Sequence, residues 1–313
     1  MIDEELRALL DRLSVVEQGE VRSTVGLVVT LYFFGGGSRD QREALARCHD
    51  RYWEIAGANL RWGAGSKTAQ PVRIASGPVE PPWENLDLPP DESFQFIYHG
   101  GTSKKDADAY SLMAHGRDLR PRELSFFTAT LALEWLEGRG VGKFRELVLQ
   151  FCNELHPYHG YAGLGVIHHP IDSNASDLTV YGIARRFPGL EVDYPQFHVI
   201  RLRNGIKGVN WLTVISDSLL DRLGDRQAFT ATLPADVTVH SYAGGLVLQA
   251  GELPQIGDTN RRNDPTAYHD VARALKPIRA SYDDAFQANP DGFTRRRTQE
   301  WLARFDDEAP SAG

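Results

Sequence analysis

The sequence predicts an α+β protein, with largely antiparallel β-sheet packed against helices. Strand-like and helical stretches follow one another without a sustained strand–helix–strand rhythm, which argues against a doubly wound parallel sheet. Tight-turn signals between β-rich runs, Ala243-Gly244-Gly245 above all, point instead to hairpins. No internal repeat with a clear period is visible, and two α/β lobes of related shape also fit the pattern.

Residues 3–13 read as a helix, with Leu6, Leu9, Leu10 and Leu13 at helical spacing. Val25 to Phe34 is an apolar β-rich run stopped by Gly35-Gly36-Gly37. Ser38 and Asp40 offer cap oxygens for a helix over 41–56, whose apolar positions include Leu45, Cys48, Tyr52 and Ile55. Residues 57–92 are rich in Gly and Pro and allow either a long surface excursion or a lobe boundary. Ser93 to Tyr98, Ala109 to His115 and Glu123 to Thr128 read as strands, the first two joined as a hairpin by a polar turn.

Thr130 to Glu137 and Lys143 to Asn153 look helical, separated by Gly138-Arg139-Gly140. A strand over Tyr161 to Ile167 and a helix over Ser176 to Arg186 follow. Val199 to Leu202 and Asn210 to Ile215 fit buried strands, with a short helical run from Ser218 to Leu223. Val237 to Tyr242 and Leu246 to Gln249 make the hairpin named above, and helices over Thr266 to Leu275 and Thr294 to Phe305 close the chain. The tail, residues 306–313, is acidic and then small, and is expected to fray.

A chain of 313 residues, 42% of them hydrophobic, can bury a large core in one or two closely packed domains. With 34 Lys plus Arg against 42 Asp plus Glu, its formal charge is −8. That surface repels nucleic-acid phosphates and suits a basic protein partner, although solubility alone also explains it. Cys48 and Cys152 are far apart and form no CxxC, so neither a disulfide framework nor a thiolate metal site is expected. Acids stand where a signal peptide would carry bases, and no apolar run nears the ~18 residues of a membrane span. The expectation is a cytoplasmic protein.

Several patterns invite a catalytic reading and fall short of it. His156, His159, His168 and His169 fall within fourteen residues, and imidazole is a good zinc ligand. Pro157 interrupts the first pair, however, the adjacent second pair would point to opposite faces of a strand, and no HExxH is present. A metal-dependent enzyme using residues 156–169 is therefore the rival reading; satisfied or exposed histidines flanking a strand are preferred. Arg61 to Thr68 resembles a phosphate loop, but Ser66 separates Gly65 from Lys67 and the earlier glycine is missing. No GxSxG elbow occurs, and Asp283-Asp284 and Asp306-Asp307 read as solvated acids.

Two segments between 205 and 279 are uncommon. One runs Gly205-Ile-Lys-Gly208-Val-Asn210-Trp211-Leu-Thr-Val-Ile-Ser-Asp217; the other runs Gly251-Glu252-Leu-Pro254-Gln-Ile-Gly257-Asp258-Thr-Asn260-Arg261-Arg262-Asn-Asp264 and ends near Leu275-Lys-Pro277-Ile-Arg279. In the first, a glycine beside a Trp-bearing strand permits close backbone approach, Asn210 can satisfy backbone groups, and Trp211 is core. Gly160-Tyr-Ala-Gly163-Leu-Gly165 likewise spaces glycines for close packing along a strand.

Together the two segments resemble the bacterial type VI immunity family, whose members are about as long as this chain. The resemblance implies one domain over residues 1–313 that binds and silences a nuclease effector delivered by type VI secretion. It implies a partner with a restriction-endonuclease-like fold, such as VRR-Nuc. It also implies occlusion of that partner's active site or DNA groove, with no catalysis, no cofactor and no direct contact with nucleic acid or membrane.

Two stretches are candidates for effector contact. Residues 83–92 hold Trp83, Glu84, Asp87, Asp91 and Glu92, an aromatic anchor and four acids without a base, stiffened by prolines. Such a surface could meet the lysines and arginines with which a nuclease holds DNA; a solvated connecting loop is the plainer alternative. The second candidate is the polar loop with Asp258, Asn260 and Arg261. Its plainer alternative is an internally hydrogen-bonded loop with Asp264 capping the next helix.

Overall fold

The computed structural model describes residues 4–68, 70–120, 122–171, 177–281 and 292–306. Ser176, the Asp283-Asp284 pair and tail residues 307–313 lie outside them. Strands are β1 (Val15–Glu17), β2 (Glu20–Phe34), β3 (Trp62–Ala64), β4 (Val72–Arg73), β5 (Phe94–His99), β6 (Ser111–Gly116), β7 (Leu124–Leu131), β8 (His159–His168), β9 (Glu191–Val192), β10 (Leu212–Ser216), β11 (Val237–Tyr242) and β12 (Gly245–Ala250). Helices are α1 (Glu4–Asp11), α2 (Arg39–Ala56), α3 (Leu133–Leu155), α4 (Asp177–Arg186), α5 (Pro195–His198), α6 (Asp217–Leu220), α7 (Arg226–Ala231), α8 (Thr266–Leu275) and α9 (Arg295–Leu302).

Among the described residues the twelve strands form one sheet, in the order β11-β12-β10-β8-β2-β7-β6-β5-β3-β4, with β1 joined to β2 and β9 to β8. All pairings are antiparallel except β8 with β9. The α+β expectation therefore holds. Residues 57–92 contribute β3 and β4 at one edge.

β2 lies at the centre because both its faces are covered, as its almost continuous apolar run suggests. Side chains alternate along it. Leu31 pairs in register with Phe127, whose ring meets Phe151 of α3 at 4.9 Å, so this face carries helices. Thr30 and Tyr32 point the other way and both donate to Asp193, at 2.6 and 3.2 Å. α2 and α3 pack antiparallel, tied by Arg47–Glu154 at 2.6 Å and Arg51–Gln150 at 3.1 Å. Ser38 caps α2 through Gln41 N–H, and α3 breaks its helical path at Gly140, which has φ 82°.

The two glycine-spaced stretches meet each other. Asn210 is fully buried; its Oδ1 accepts from Trp211 N–H at 2.6 Å and its amide donates to Leu164 O at 3.4 Å. A Cβ on Gly163 would lie 2.1 Å from that Oδ1, whereas one on Gly208 would meet nothing within 4 Å. The close approach expected at Gly208 thus belongs to Gly163. Trp211 is core as expected, stacking near Phe144 at 6.1 Å and donating to Gly251 O.

Three expectations need correction. Val199 to Leu202 is not a strand: Pro195 starts the short helix α5, and Val199 caps its end. Asp264 does not cap α8, whose N-cap is Pro265; its carboxylate pairs with His269 at 3.1 Å. Asp306 is not a solvated acid, because Arg279 binds it in a half-buried pair.

Candidate functional site

Cross-strand register places one row of strand ends together. Phe94 pairs with Gly116, Phe34 with Leu124, Tyr32 with His159, and Ser216 with Gly245. The acidic segment leads into β5 and so lies at this end of the sheet. Its side chains Trp83, Glu84, Asp87, Asp91 and Glu92 are all exposed.

What holds the segment is Arg42, buried to 1% exposure on the second turn of α2. Its guanidinium donates to the carbonyls of Leu86, Leu88, Pro89 and Glu92. A planar donor fork suits this task better than a Lys would. Burial lowers the Arg42 pKa, while the charges of Asp118, Glu92 and Asp87 act against that shift. With backbone carbonyls turned inward, the acidic side chains are left to face solvent.

Two further contacts fix the segment. Asp118 N–H donates to Pro90 O at 2.8 Å, and the Asp118 carboxylate accepts from Gly37 N–H at 3.0 Å. A Cβ on Gly37 would lie 2.3 Å from Pro90 O, so the triple glycine serves close packing here, not only a turn. The Trp83 indole donates to Asp50 at 2.6 Å yet keeps 42% of its surface exposed. Asp87 pairs with Arg39. Leu119, 52% exposed, follows Asp118 and adds an apolar side chain that sequence reasoning missed, because only the Asp118–Pro90 contact brings it there.

The polar loop sits at the other end, after β12 ends at Ala250. Asp258 is buried; it accepts from Asn260 N–H at 3.0 Å and from Arg186 through both carboxylate oxygens. The bond from Arg186 holds the Asp258 carboxyl below its ordinary range. Asn260 and Arg261 are exposed, and Arg261 reaches Glu5 of α1 at 3.3 Å. The loop borders a groove of about 920 Å³ between α1, the Gly140 break and residues 252–258. The fold does not bring the two candidate stretches together.

The remaining patterns take up local structural roles. The Gly-rich 61–68 loop closes on the Glu80 carboxylate, which accepts from Lys67 N–H at 2.8 Å and from the Thr68 hydroxyl. His156 caps α3 in a left-handed conformation, φ 43°, with Nδ1 against Ala243 O. His159, His168 and His169 are buried rather than exposed, and not all are satisfied. His169 meets Lys104 O at 3.0 Å, but His168 stacks on Tyr194 with neither ring nitrogen hydrogen-bonded, and His159 Nε2 has no partner, among the described residues. Among the described residues no three His, Cys, Asp or Glu side chains converge as a ligand set.

A buried ionic cluster was not foreseen. Lys207 donates to Glu191 at 2.7 Å, Val192 O at 2.6 Å, Tyr161 at 3.3 Å and Asp193 at 3.4 Å. Asp193 also accepts from Thr30 and Tyr32 and contacts His198 Nδ1 at 2.9 Å. Burial alone would raise the Asp193 pKa, but Lys207 and the His198 and Thr30 bonds hold it far below the carboxylate range. The cluster fastens residues 191–207 to the sheet face opposite α2 and α3. Its only sequence signal was a lysine within an apolar stretch.

Among the described residues no helix is long and apolar enough to cross a membrane. No curated protein sequence matches the chain. Its fold is similar to that of the Pseudomonas aeruginosa T6SS protein PA0821, with a TM-score of 0.83, 26% identity, and coverage of 97% of this chain and 90% of that one. A family model described as type VI immunity for VRR-NUC (TsiV) matches residues 44–305. That span takes in the Arg42-held acidic segment, the Gly163–Asn210 contact and the polar loop, and the chain belongs to this type VI immunity family.

Proposed function

We propose that this immunity protein silences a VRR-Nuc effector by stoichiometric occlusion of its active site or DNA-binding groove, with the acidic segment as the main contact. The observation that carries the proposal is the Arg42 clamp. It presents Trp83, Glu84, Asp87, Asp91 and Glu92 on a pre-ordered support, so little conformational entropy is lost on binding. A nuclease must hold a polyanion with basic side chains, and acids placed in that groove compete with DNA for them. Trp83 and Leu119 supply the apolar anchors that interfaces favour.

Asp258 acts within its own loop, through Arg186, and Asn260 and Arg261 form a secondary contact at the far end. In this reading the partner has a restriction-endonuclease-like fold and meets the chain in the cytoplasm. The chain itself uses neither catalysis nor cofactor and touches no nucleic acid. The test is a DNA-cleavage assay with purified effector and increasing amounts of this protein. Cleavage should stop at a one-to-one ratio. Cleavage that persists with the two proteins bound would reject occlusion, and absence of binding would reject the reading as a whole.

A further inference from the structure

The same end of the sheet carries a second, oppositely charged feature. A cleft of about 350 Å³ is lined by Arg122, Tyr158, Asn204, Ser218 and Arg222. Arg122 has φ 57° and lies over the Phe34 ring at 5.2 Å; Arg222 donates to Asn204 O at 2.7 Å. Among the described residues neither guanidinium has a carboxylate within ion-pair distance, and no carboxylate lines the cleft. Tyr158, buried against Phe34 at 4.9 Å, and Ser218, whose hydroxyl bonds that of Ser216 at 2.9 Å, line the same space.

We infer that this cleft is an oxyanion-binding site that receives a carboxylate side chain of the nuclease effector. Two arginines on one cleft, without an ion-pair partner among the described residues, match the donor needs of a carboxylate. Position argues for a group of the same partner that meets the acidic segment. Asp118 touches Pro90 on one side, and Arg122 covers Phe34 on the other. An acidic segment therefore stands beside a cleft whose lining carries two arginines and no acid. A nuclease that positions a divalent metal presents the reciprocal pattern, carboxylates beside a basic DNA path. The inference rests on the occlusion reading and deepens it, by assigning the Arg122–Arg222 half to the effector's acids.

Two measurements test it separately from that reading. Inorganic phosphate, titrated at constant ionic strength into the full chain, should give saturable NMR shifts in wild type and none in Arg122→Gln/Arg222→Gln. Effector binding to the folded double variant should weaken by about tenfold or more. An absence of saturable phosphate response in wild type overturns the oxyanion site, whether or not effector binds. A phosphate response lost in a variant that still binds effector at wild-type affinity leaves a free-phosphate site and overturns the carboxylate assignment.

Discussion

Gly163 and Asn210 are locked together: a single methyl on Gly163 would fall 2.1 Å from the Asn210 Oδ1 that accepts from Trp211 N–H. The contact joins the middle of β8 to the residue that precedes β10's Trp-led run, so backbone pairing and core packing depend on it together.

Gly163→Ala should therefore destabilise the fold by about 2–4 kcal/mol, since the neighbour it meets is a fixed, buried amide rather than a flexible tip. Urea denaturation with an unchanged m-value checks it. Gly208→Ala, with open space around its Cβ, should lie within about 1 kcal/mol of wild type. Equal losses at both positions would contradict the packing described.

Arg42→Met keeps an unbranched apolar stem but leaves the carbonyls of Leu86, Leu88, Pro89 and Glu92 without their donor. A loss of about 2–4 kcal/mol is expected, with faster proteolysis inside residues 82–92 and weaker effector binding. Cleavage confined to other loops would show that the clamp does not order the segment.

Trp83→Ala with Asp87→Lys tests the acidic contact directly. Effector affinity should fall by tenfold or more, roughly 1.4 kcal/mol, with a slower association rate and a flatter salt dependence. An unchanged Kd for the folded variant would remove this segment from the interface. The Asn260→Ala/Arg261→Ala pair, at the far end, should cost less.

Lys207→Met strands the Glu191 and Asp193 carboxylates without their cation and should cost about 3–5 kcal/mol. Thermal and urea melts read the loss. A variant as stable as wild type would mean that the cluster contributes specificity rather than stability.

Acid should loosen the protein before its carboxylates titrate. Burial pushes His99, His115, His168 and His198 down to about 4 and His159 to about 3, against about 6.5 in the unfolded chain. Each proton bound only by the unfolded state removes about 1.4 kcal/mol per pH unit below that value. Stability is thus fully present above about pH 6.5 and declines toward about pH 4. The depressed Asp193 adds its own loss only below its unfolded value of about 3.9. Urea midpoints across this window measure the slope, and a flat midpoint down to about pH 4.5 would show that these rings are not held neutral.

Much of this architecture was legible in one dimension. Apolar runs bounded by glycines located β2, β8, β10 and the β11–β12 hairpin, and helical spacing with a Ser38 cap located α2. Such signals are local, set by side-chain period and turn chemistry, and so they survive in a sequence. Residues 199–202 misled because the turn that closes a proline-initiated helix and a short buried strand carry the same apolar composition.

The acids of 83–92 and their exposed, base-free character were also visible in the sequence. Sequence could not show that Arg42 holds them from beneath, that Asp118 brings Leu119 and Arg122 alongside, or that Asp258 is taken up by Arg186. It equally could not bury His159 and His168, or gather Lys207, Glu191 and Asp193 into one cluster. These contacts join residues distant in the chain, and only sheet register and packing decide which of them meet. Residue type and local spacing thus determined the elements and the family, whereas tertiary structure alone decided which charges face a partner and which are spent inside the fold.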